Sequence, residues 1–392
     1  MRIWFCLIIL WSVANLVQAK TIRIATFNAS MDGSNYVARG ERPKGNELAT
    51  RLVSGKEPQI QNIAEIIQIV RPDILLINEF DYIPDETKGV QAFLKHYLSV
   101  SQQGKAPINY PYYFTAPVNT GVGTGLDLDK DGTASDVGAD AFGFGFYPGQ
   151  YGMVVLSQFP INKEMVRTFQ HFLWKDMPGS LLTDIKDDEG KEWYNKEAQA
   201  ILRLSSKSHW DIPISVDGNE LHVLVSHPTP PVFDGKENRN GKRNHDEVRF
   251  WNDYLGDKEQ GGYLYDDQGG KGGFTGGRFV LLGDLNSNPD EGDSYGHAIA
   301  DLLNHKKVNA SLKPESQGGA KHQPNNPFAK HHTAGWGMRA DYVLPSQEGI
   351  EVISGGVFWP TPEEPLYRLV VDRNASSDHR LVWLDVTLQT QK

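Results

Sequence analysis

Short apolar runs that end abruptly in polar residues recur along this chain, and they limit the folds that it can adopt. The clearest run covers residues 278–282 and is followed by Gly283, Asp284 and Asn286. Because side chains alternate along a strand, Asp284 and Asn286 project on the same side, about 7 Å apart along the chain. Such a run is typical of a buried strand that carries polar side chains at its carboxyl end. Similar runs predict further strands at 21–26, 74–77, 152–156, 222–225, 340–344 and 381–386.

Helical patterns lie between some of these strands. Apolar residues recur at helical spacing from 60 to 70, and Pro72 follows the end of that pattern. A second helix is predicted over 245–255, where Val248, Trp251 and Tyr254 share one face. Since no linker separates two complete hydrophobic patterns and no segment repeats, we predict a single domain over residues 20–392.

Three long stretches rich in Gly, Asn, Asp and Pro interrupt the strands, at 101–150, 229–275 and 305–338. Segments of this length without regular structure are usually functional or locally tied down in a compact domain. We therefore predict that they are insertions over the face that carries the site. For 256–275, disorder is an equal alternative.

The first 19 residues have the pattern of a secretory signal peptide. Arg2 gives a positive start, an apolar run follows, and Ala19 ends a small-residue pattern suited to cleavage. The run is too short for a good membrane span, and an uncleaved anchor is the alternative. Cys6, the single cysteine, lies inside this segment. We therefore expect a secreted or periplasmic protein that folds without disulfides and has no transmembrane segment in its mature form.

The acidic balance of the chain bears on its substrates. The formal net charge is −10, and such a protein is a poor non-specific partner for nucleic acid, whose binding depends on phosphate neutralisation. The charge is compatible with binding of cations and of small substrates. A local basic rim is not excluded by net charge.

Reactive side chains stand where several of the predicted strands meet polar chain. Each of these residues alone has an ordinary structural interpretation as a turn former, a cap or a satisfied polar group. Placing all of them beside one core is costly unless a cation or a substrate compensates the charge. The set comprises Asn28, Glu79, His227, Asp284, Asn286, Asp341, Asp378 and His379.

The order of these residues resembles the endonuclease/exonuclease/phosphatase superfamily, which includes deoxyribonuclease I and bacterial sphingomyelinases. The resemblance covers about residues 21 to 388, and its most specific pieces are Gly283-Asp284-Leu285-Asn286 and Ser377-Asp378-His379. It implies an α/β (α+β) fold, a four-layer αββα sandwich in which helices flank two packed mixed β-sheets. The other matching segments are Thr26-Phe27-Asn28, Asn78-Glu79-Phe80, Ser226-His227-Pro228 and Ala340-Asp341-Tyr342.

The resemblance also implies a metal centre. Glu79 resembles the metal-binding glutamate of the family, Asn28 would position the metal or a phosphate oxygen, and Asp378 would join the metal site or its surroundings. Carboxylate and amide oxygens suit hard divalent cations. We expect Mg²⁺ or Mn²⁺, with Ca²⁺ as a third candidate.

The remaining residues of the set are assigned to the reaction. Asp284 would orient or deprotonate the attacking water, and Asn286 would donate a hydrogen bond to a phosphoryl oxygen. His379 resembles the histidine that contacts the scissile phosphate, with Asp341 holding its ring. His227 lies where the deoxyribonuclease branch has a second histidine, a candidate general acid.

Residues 125–140 form a second candidate metal site. Asp127, Asp129, Asp131 and Gly132 match the first half of an EF-hand calcium loop. The match then fails because Gly138 stands where the bidentate glutamate belongs, so Asp136 or Asp140 would have to complete the site. A structural Ca²⁺ that ties down the loop is favoured over a plain acidic turn. The predicted ligands are Asp127, Asp129, Asp131 and Asp136.

Basic residues follow His227 along the chain. Arg243 and Arg249 are predicted substrate-binding residues, because an arginine clamps a phosphate through two parallel hydrogen bonds. A solvated loop and a helix salt bridge are equal alternatives.

These observations predict an exported, metal-dependent phosphoesterase that uses metal-assisted attack by water. A small phosphate ester is favoured over nucleic acid as the substrate, because no additional basic patch is evident. No protein partner is predicted. Two alternatives stay open, an extracellular nuclease of the same fold and a catalytically inactive, calcium-stabilised binding module.

Overall fold

The computed structural model describes residues 20–389; the predicted signal peptide lies outside this range. The described chain forms two β-sheets. Their strands, in chain order, are β1 (Thr21–Met31), β2 (Ile74–Phe80), β3 (Tyr112–Phe114), β4 (Met153–Ser157), β5 (Arg167–Thr168), β6 (His209–Val216), β7 (Asn219–Ser226), β8 (Phe279–Asp284), β9 (Asp341–Pro345), β10 (Ile350–Val357) and β11 (Val382–Leu388).

Helices occupy the connections between the strands. None of the helices within residues 20–389 is long and apolar enough to cross a membrane. In chain order they are α1 (Glu47–Ser54), α2 (Pro58–Val70), α3 (Val90–Phe93), α4 (Lys196–Ile201), α5 (Arg239–Leu255), α6 (Lys258–Gly261), α7 (Ala298–Leu303) and α8 (Gln317–His322).

Both sheets are mixed. The six-stranded sheet has the order β10-β11-β1-β2-β4-β3, and the five-stranded sheet has the order β5-β6-β7-β8-β9. In each sheet one central pair is parallel, β1 with β2 and β7 with β8, so the carboxyl ends of these strands lie at one edge of their sheet. Strands β1 and β2 pack against β8 of the other sheet. This packing brings the strand ends of both sheets together.

The alternation of side chains along β8 shows how the layers form. Val280 and Leu282 belong to the core between the sheets, whereas Phe279 and Leu281 pack on the other face with Trp251 and other residues of α5. Helix α2 covers the outer face of the six-stranded sheet through its buried apolar stripe. The order helix, sheet, sheet, helix confirms the predicted four-layer sandwich.

Four strands were not predicted, namely β3, β5, β6 and β10. Strands β3 and β5 are very short, whereas β6 and β10 contain residues that weaken the strand pattern. Strand β6 includes Asp211 and Pro213, and β10 includes Gly355 and Gly356. The buried carboxylate of Asp211 accepts a hydrogen bond from the hydroxyl of Tyr254 at 2.5 Å. A residue distant in sequence therefore supplies the hydrogen bond that this buried carboxylate requires.

Residues 256–275 are tied to the domain rather than disordered. Helix α6 begins with a capping box formed by Asp257 and Gln260. Arg167 on β5 makes an ion pair with Asp266 at 2.7 Å, and Phe274 packs edge-on against Phe279 of β8. The disorder alternative is therefore wrong for this segment, because these long-range contacts hold it in place.

Candidate active site

The ends of β1 and β8 join the two sheets at the centre of the site. The side-chain nitrogen Nδ2 of Asn28 donates to Oδ2 of Asp284 at 3.0 Å, and the backbone N–H of Asp284 donates to Oδ1 of Asn78 at 3.1 Å. Gly283 precedes this aspartate because a Cβ at that position would collide with the carbonyl oxygen of Ser226. The glycine therefore allows β7 and β8 to deliver Asp284 against the end of β1.

Asn28 lies deeper in the site than predicted. Its side chain is buried, and its Oδ1 accepts from the backbone N–H of Ser30 at 3.2 Å while its Nδ2 holds Asp284. Both ends of the amide are thus engaged within the protein, and Asn28 is not among the residues that line the cleft. This placement is at odds with its predicted contact to the metal or the substrate and supports a role in positioning Asp284.

A chain of hydrogen-bonding groups links Asp284, His379 and Asp341. Ring atom Nε2 of His379 lies 3.5 Å from Oδ2 of Asp284, and Nδ1 lies 2.9 Å from Oδ2 of Asp341. The hydroxyl of Thr333 donates to the same Asp341 oxygen at 2.7 Å. The predicted contact between Asp341 and the ring of His379 is therefore present.

Electrostatics favour a protonated His379. Burial alone would lower the pKa of His379, but the carboxylates of Asp341 and Asp284 outweigh it and raise that pKa to about 10. Burial would raise the pKa of Asp284, yet His379, His227 and the Asn28 amide hold it well below its usual range. The imidazolium between two carboxylates balances part of their charge, and these three groups form a relay. The same three residues also offer ligand atoms close enough together to hold a metal ion.

His227 is a second histidine beside the same oxygen of Asp284. Its Nε2 lies 3.4 Å from Oδ2 of Asp284, and its buried Nδ1 has no hydrogen-bond partner within residues 20–389. Burial, together with the charge of the nearby buried Lys207, lowers the pKa of His227 to about 4. The ring is therefore neutral near pH 7 and suited to hold Asp284; its role as a general acid stays a prediction.

A cluster of carboxylates adjoins this relay. Glu79, Asp32 and Asp378 surround the guanidinium of Arg373, whose nitrogens lie 3.6, 3.7 and 3.6 Å from their respective oxygens. The buried Oε2 of Glu79 has no hydrogen-bond partner within residues 20–389. Burial, followed by the charge of Asp32, raises the pKa of Glu79 to about 7. An oxygen cluster with an unsatisfied carboxylate atom fits a hard divalent cation.

Backbone strain marks two of these positions. Glu79 and Asn286 have φ values of 56° and 49°, a region that residues other than glycine rarely adopt. Such strain persists only where surrounding contacts impose it, and it concentrates at functional sites. The backbone N–H of Asn286 donates to Oδ1 of Asp284 at 3.0 Å, and its Nδ2 donates to the carbonyl of Pro228 at 3.2 Å.

These groups open into one cleft of about 480 Å³. Trp336, half exposed, stands edge-on to the ring of His379 with 4.8 Å between centroids. Phe233 is 87% exposed and lines the same cleft. The reactive groups among its lining residues are Glu79, Asp284, Asn286, Arg373, Asp378 and His379.

The sequence analysis did not identify Asp32, Arg373, Lys207 or Trp336. Asp32 directly follows β1, four residues after Asn28 and beyond the bulge between Asn28 and Met31, and Arg373 shortly precedes Asp378. Proximity to these two motif residues was the signal available for them. Lys207 and Trp336 come from segments with no strand-end motif.

The two predicted arginine clamps are occupied elsewhere. Arg243 donates through Nε to the carbonyl of Leu204 at 2.9 Å and through Nη2 to that of Arg203 at 3.0 Å. Arg249 donates to the carbonyl of Gly179 at 3.0 Å and pairs with Asp253 at 3.3 Å. Neither residue lines the cleft. The predicted role in substrate binding is at odds with this placement, because backbone carbonyls already engage both guanidinium groups.

In the acidic loop, the structure groups Asp127, Asp129 and Asp140, whose carboxylate oxygens lie within 4.8 Å of one another. Asp140 rather than Asp136 completes this group. The carboxylate of Asp131 instead accepts from the backbone N–H of Thr133 at 2.8 Å. Asp131 and Asp136 are not part of this group, and the structural Ca²⁺ itself stays a prediction.

A relay of Asp, His and Asp beside a carboxylate cluster is an arrangement suited to hydrolysis of phosphate esters. The model of the Endonuclease/Exonuclease/phosphatase family matches residues 25–379. This chain belongs to that family, and it is a hydrolase that acts on phosphoric ester bonds. No curated protein sequence is detectably similar to it.

Several solved structures are similar in fold at low sequence identity. A family protein from Beutenbergia cavernae is 17% identical with a TM-score of 0.48, over 94% of this chain and 72% of that one. The human Nocturnin catalytic domain with bound sulfate is 12% identical with a TM-score of 0.46, over 94% and 95%. A mutant beta toxin from Staphylococcus aureus with bound magnesium ions is 13% identical with a TM-score of 0.44, over 94% and 100%.

Proposed function

We propose that this protein is an exported, metal-dependent phosphoesterase that cleaves its substrate by in-line attack of water. The observation that carries the proposal is the meeting, in one cleft, of the relay Asp284, His379 and Asp341 with the carboxylates of Glu79 and Asp378. Neither group has a structural reason to lie at this edge, where each requires costly burial of charge.

Glu79, Asp378 and Asp32 would hold the divalent metal. When bound, the metal supplies positive charge to the phosphate and lowers the pKa of a coordinated water. Carboxylate oxygens favour Mg²⁺ or Mn²⁺, with Ca²⁺ as the third candidate. Ser30 donates to Oδ1 of Asp378 at 3.0 Å and thereby fixes the orientation of that carboxylate.

Three side chains of the cleft would act on the attacking water and on the phosphoryl group. Asp284 stays ionised and accepts a hydrogen bond from the attacking water, which orients it for in-line displacement. The imidazolium of His379 donates from Nε2 toward a phosphoryl oxygen, where negative charge is concentrated. Asn286 lines the cleft close to Asp284. Its Nδ2 already donates one N–H to the carbonyl of Pro228 at 3.2 Å, which leaves the second N–H for the phosphoryl group.

The cleft favours a small phosphate ester. It is lined by Glu79, Asp284, Asp293 and Asp378, and Arg373 is the one lysine or arginine among its lining residues. Such a surface repels a long polyanion more than a single phosphate group. The half-exposed ring of Trp336 lies beside His379. An aromatic ring at this place is suited to stack on a nucleic-acid base, and this feature favours a nuclease as the second candidate.

Export is part of the proposal and rests on the signal-like sequence of residues 1–19. Fractionation of cells that produce the full chain tests it. Recovery of a shortened protein from the periplasm or the medium is expected, and full-length protein in the cytoplasm contradicts export.

Activity is tested with purified protein on phosphomonoesters, sphingomyelin, nucleotides and DNA in the presence of Mg²⁺, Mn²⁺ or Ca²⁺. Turnover that EDTA abolishes is expected on at least one substrate. The variant His379→Ala should remove it while the melting temperature is retained. Absence of EDTA-sensitive turnover on every substrate would instead favour the inactive binding module.

A further inference from the structure

A second cavity of about 640 Å³ lies outside the catalytic cleft. It is built where the chain following β8, the end of α7 and the segment before β9 come together. Pro289 and Asp290 line this cavity, whereas Gly292 and Asp293, a few residues further along, line the cleft. The two cavities are therefore separate but share one loop as a wall.

Arg339 reaches this cavity from the protein interior. The residue is only 6% exposed, and its guanidinium carbon lies 4.4 Å from the centroid of the Tyr342 ring. Tyr342 is itself fixed, since its hydroxyl donates to the carbonyl of Ser287 at 2.7 Å. Stacking on a fixed ring orients the planar guanidinium and leaves its N–H groups free at the edges.

The guanidinium of Arg339 has no acceptor of its own. No hydrogen bond from its side chain and no carboxylate within 4.0 Å occurs among residues 20–389. Glu291 in the adjacent loop is already engaged, because it accepts from His332 at 2.9 Å and from Asn326 at 2.7 Å. The guanidinium nitrogens of Arg339 are not sealed off from the cavity. A largely buried charge without a protein partner is unfavourable, and an anion in the cavity would compensate it.

The rim of the cavity is also positive. Lys306 and Lys313 are exposed lining residues, and neither makes an ion pair with any described residue. Burial together with the charges of Lys307 and Lys306 lowers the pKa of His305, which lines the cavity as well. Asp290 is the one carboxylate among the lining residues. This concentration of positive charge contrasts with a net charge of −10 for the chain.

We propose that this cavity is an anion site that binds a phosphate group between the buried guanidinium of Arg339 and the ammonium groups of Lys306 and Lys313. The guanidinium offers two parallel N–H donors that match phosphate geometry, and the lysines add charge at the entrance. The site requires no catalytic metal and does not depend on the reaction proposed for the cleft.

Calorimetric titration of the EDTA-treated protein tests this site, with inorganic phosphate as the first probe and a short oligodeoxynucleotide as the second. Arg339→Met should weaken binding at least about tenfold, as loss of a charged hydrogen-bond donor predicts. Dependence on Arg339 with inorganic phosphate identifies a site for the free ion. Dependence with the oligonucleotide alone identifies a site for a phosphate group on a larger ligand.

A pair of exposed substitutions covers the case in which Arg339→Met fails to fold. Lys306→Gln with Lys313→Gln should weaken phosphate binding severalfold, while Lys44→Gln with Lys95→Gln, which removes the same charge elsewhere on the surface, should leave it unchanged. The cleft variant His379→Ala should also retain binding. Equal binding of both probes by the Lys306 and Lys313 variant and by wild type, or loss of binding only in His379→Ala, would overturn the proposal.

Discussion

At the scale of single residues, His379 is controlled by its two carboxylate neighbours. Asp341 lies on Nδ1 and Asp284 faces Nε2, so the ring is oriented and kept protonated by groups from β9 and β8. The proposed role of the ring as a donor to phosphate depends on this arrangement, because a neutral ring would carry no positive charge to stabilise the transition state.

Asp341→Asn should separate orientation from charge. The amide can still hold the ring but removes one of the two carboxylates that raise the pKa of His379 to about 10. If the protonated ring is required, activity is lost as pH rises through that pKa, so the alkaline limb of the profile should move to lower pH in the variant. We expect kcat/KM near neutral pH to fall by about 10².

The pH dependence of kcat/KM for wild type and variant measures this effect. Asp372→Asn, at an exposed residue of the loop before Ser377, is the matched control. Unchanged alkaline limbs in all three proteins would contradict the role of Asp341.

A substitution of Arg373 is expected to change metal binding and substrate binding in separately measurable ways. Its guanidinium is the counter-charge of Glu79, Asp32 and Asp378. Arg373→Gln makes this cluster more negative, so Mn²⁺ affinity should rise by about three- to tenfold, whereas KM for the phosphate substrate should rise because a donor is lost from the cleft. Calorimetry with Mn²⁺ and steady-state kinetics measure the two effects, and Arg373→Lys should be intermediate in both. Weaker Mn²⁺ binding in Arg373→Gln would contradict this account.

At the scale of elements, the loop of residues 125–140 is the clearest case of a segment that a cation could order. Asp127, Asp129 and Asp140 converge, and Asp140 also accepts from the backbone N–H groups of Leu128 at 2.6 Å and Ser135 at 2.8 Å. These two hydrogen bonds connect Asp140 to earlier residues of the same loop.

The predicted structural Ca²⁺ should show itself as stabilisation of this loop. Saturating Ca²⁺ at about a hundred times its dissociation constant contributes roughly 2.7 kcal/mol, which raises the melting temperature by a few degrees. Asp129→Asn should remove this increase, whereas Asp188→Asn, at an exposed residue of another turn, should keep it. Identical melting temperatures with Ca²⁺ and with EGTA in wild type would disprove the prediction.

At the scale of the whole molecule, buried histidines couple folding to pH. His209 on β6 is held neutral, with Nδ1 2.6 Å from the hydroxyl of Ser205 and Nε2 2.9 Å from the carbonyl of Glu247. Burial lowers its pKa to about 4. Because the unfolded chain takes up the proton near pH 6.5, this stability is present above that pH and is lost as pH falls toward 4.

The expected loss of unfolding free energy between about pH 7 and pH 5 is about 2 kcal/mol for His209 alone. Urea unfolding at the two pH values measures it. His209→Gln should be less stable at neutral pH but should show a smaller difference between the two conditions. His171→Gln, at an exposed histidine, is the control and should keep the wild-type difference. A difference in His209→Gln as large as that of wild type would rule out this origin of acid sensitivity.

The sequence by itself located most of the strands and the polar residues beside them, whereas the class of fold and the proposed relay came from the resemblance. Alternation of apolar residues locates strands such as β8, and the polar residues at their ends, Asp284 and His379 among them, follow directly from that pattern. These properties depend on neighbours within a few positions along the chain. The resemblance added the order of the motifs, from which the sandwich was correctly predicted.

Only the tertiary structure decided which polar groups share a cavity. Asn28 and Asp284, from different sheets, meet because the sheets pack face to face, and Arg373 enters the carboxylate cluster from a loop. The same packing turned Arg243 toward backbone carbonyls and left the Arg339 side chain without an acceptor among residues 20–389. Local pattern could not foresee these outcomes, since the energy of a charged side chain depends on partners and burial that distant parts of the chain supply.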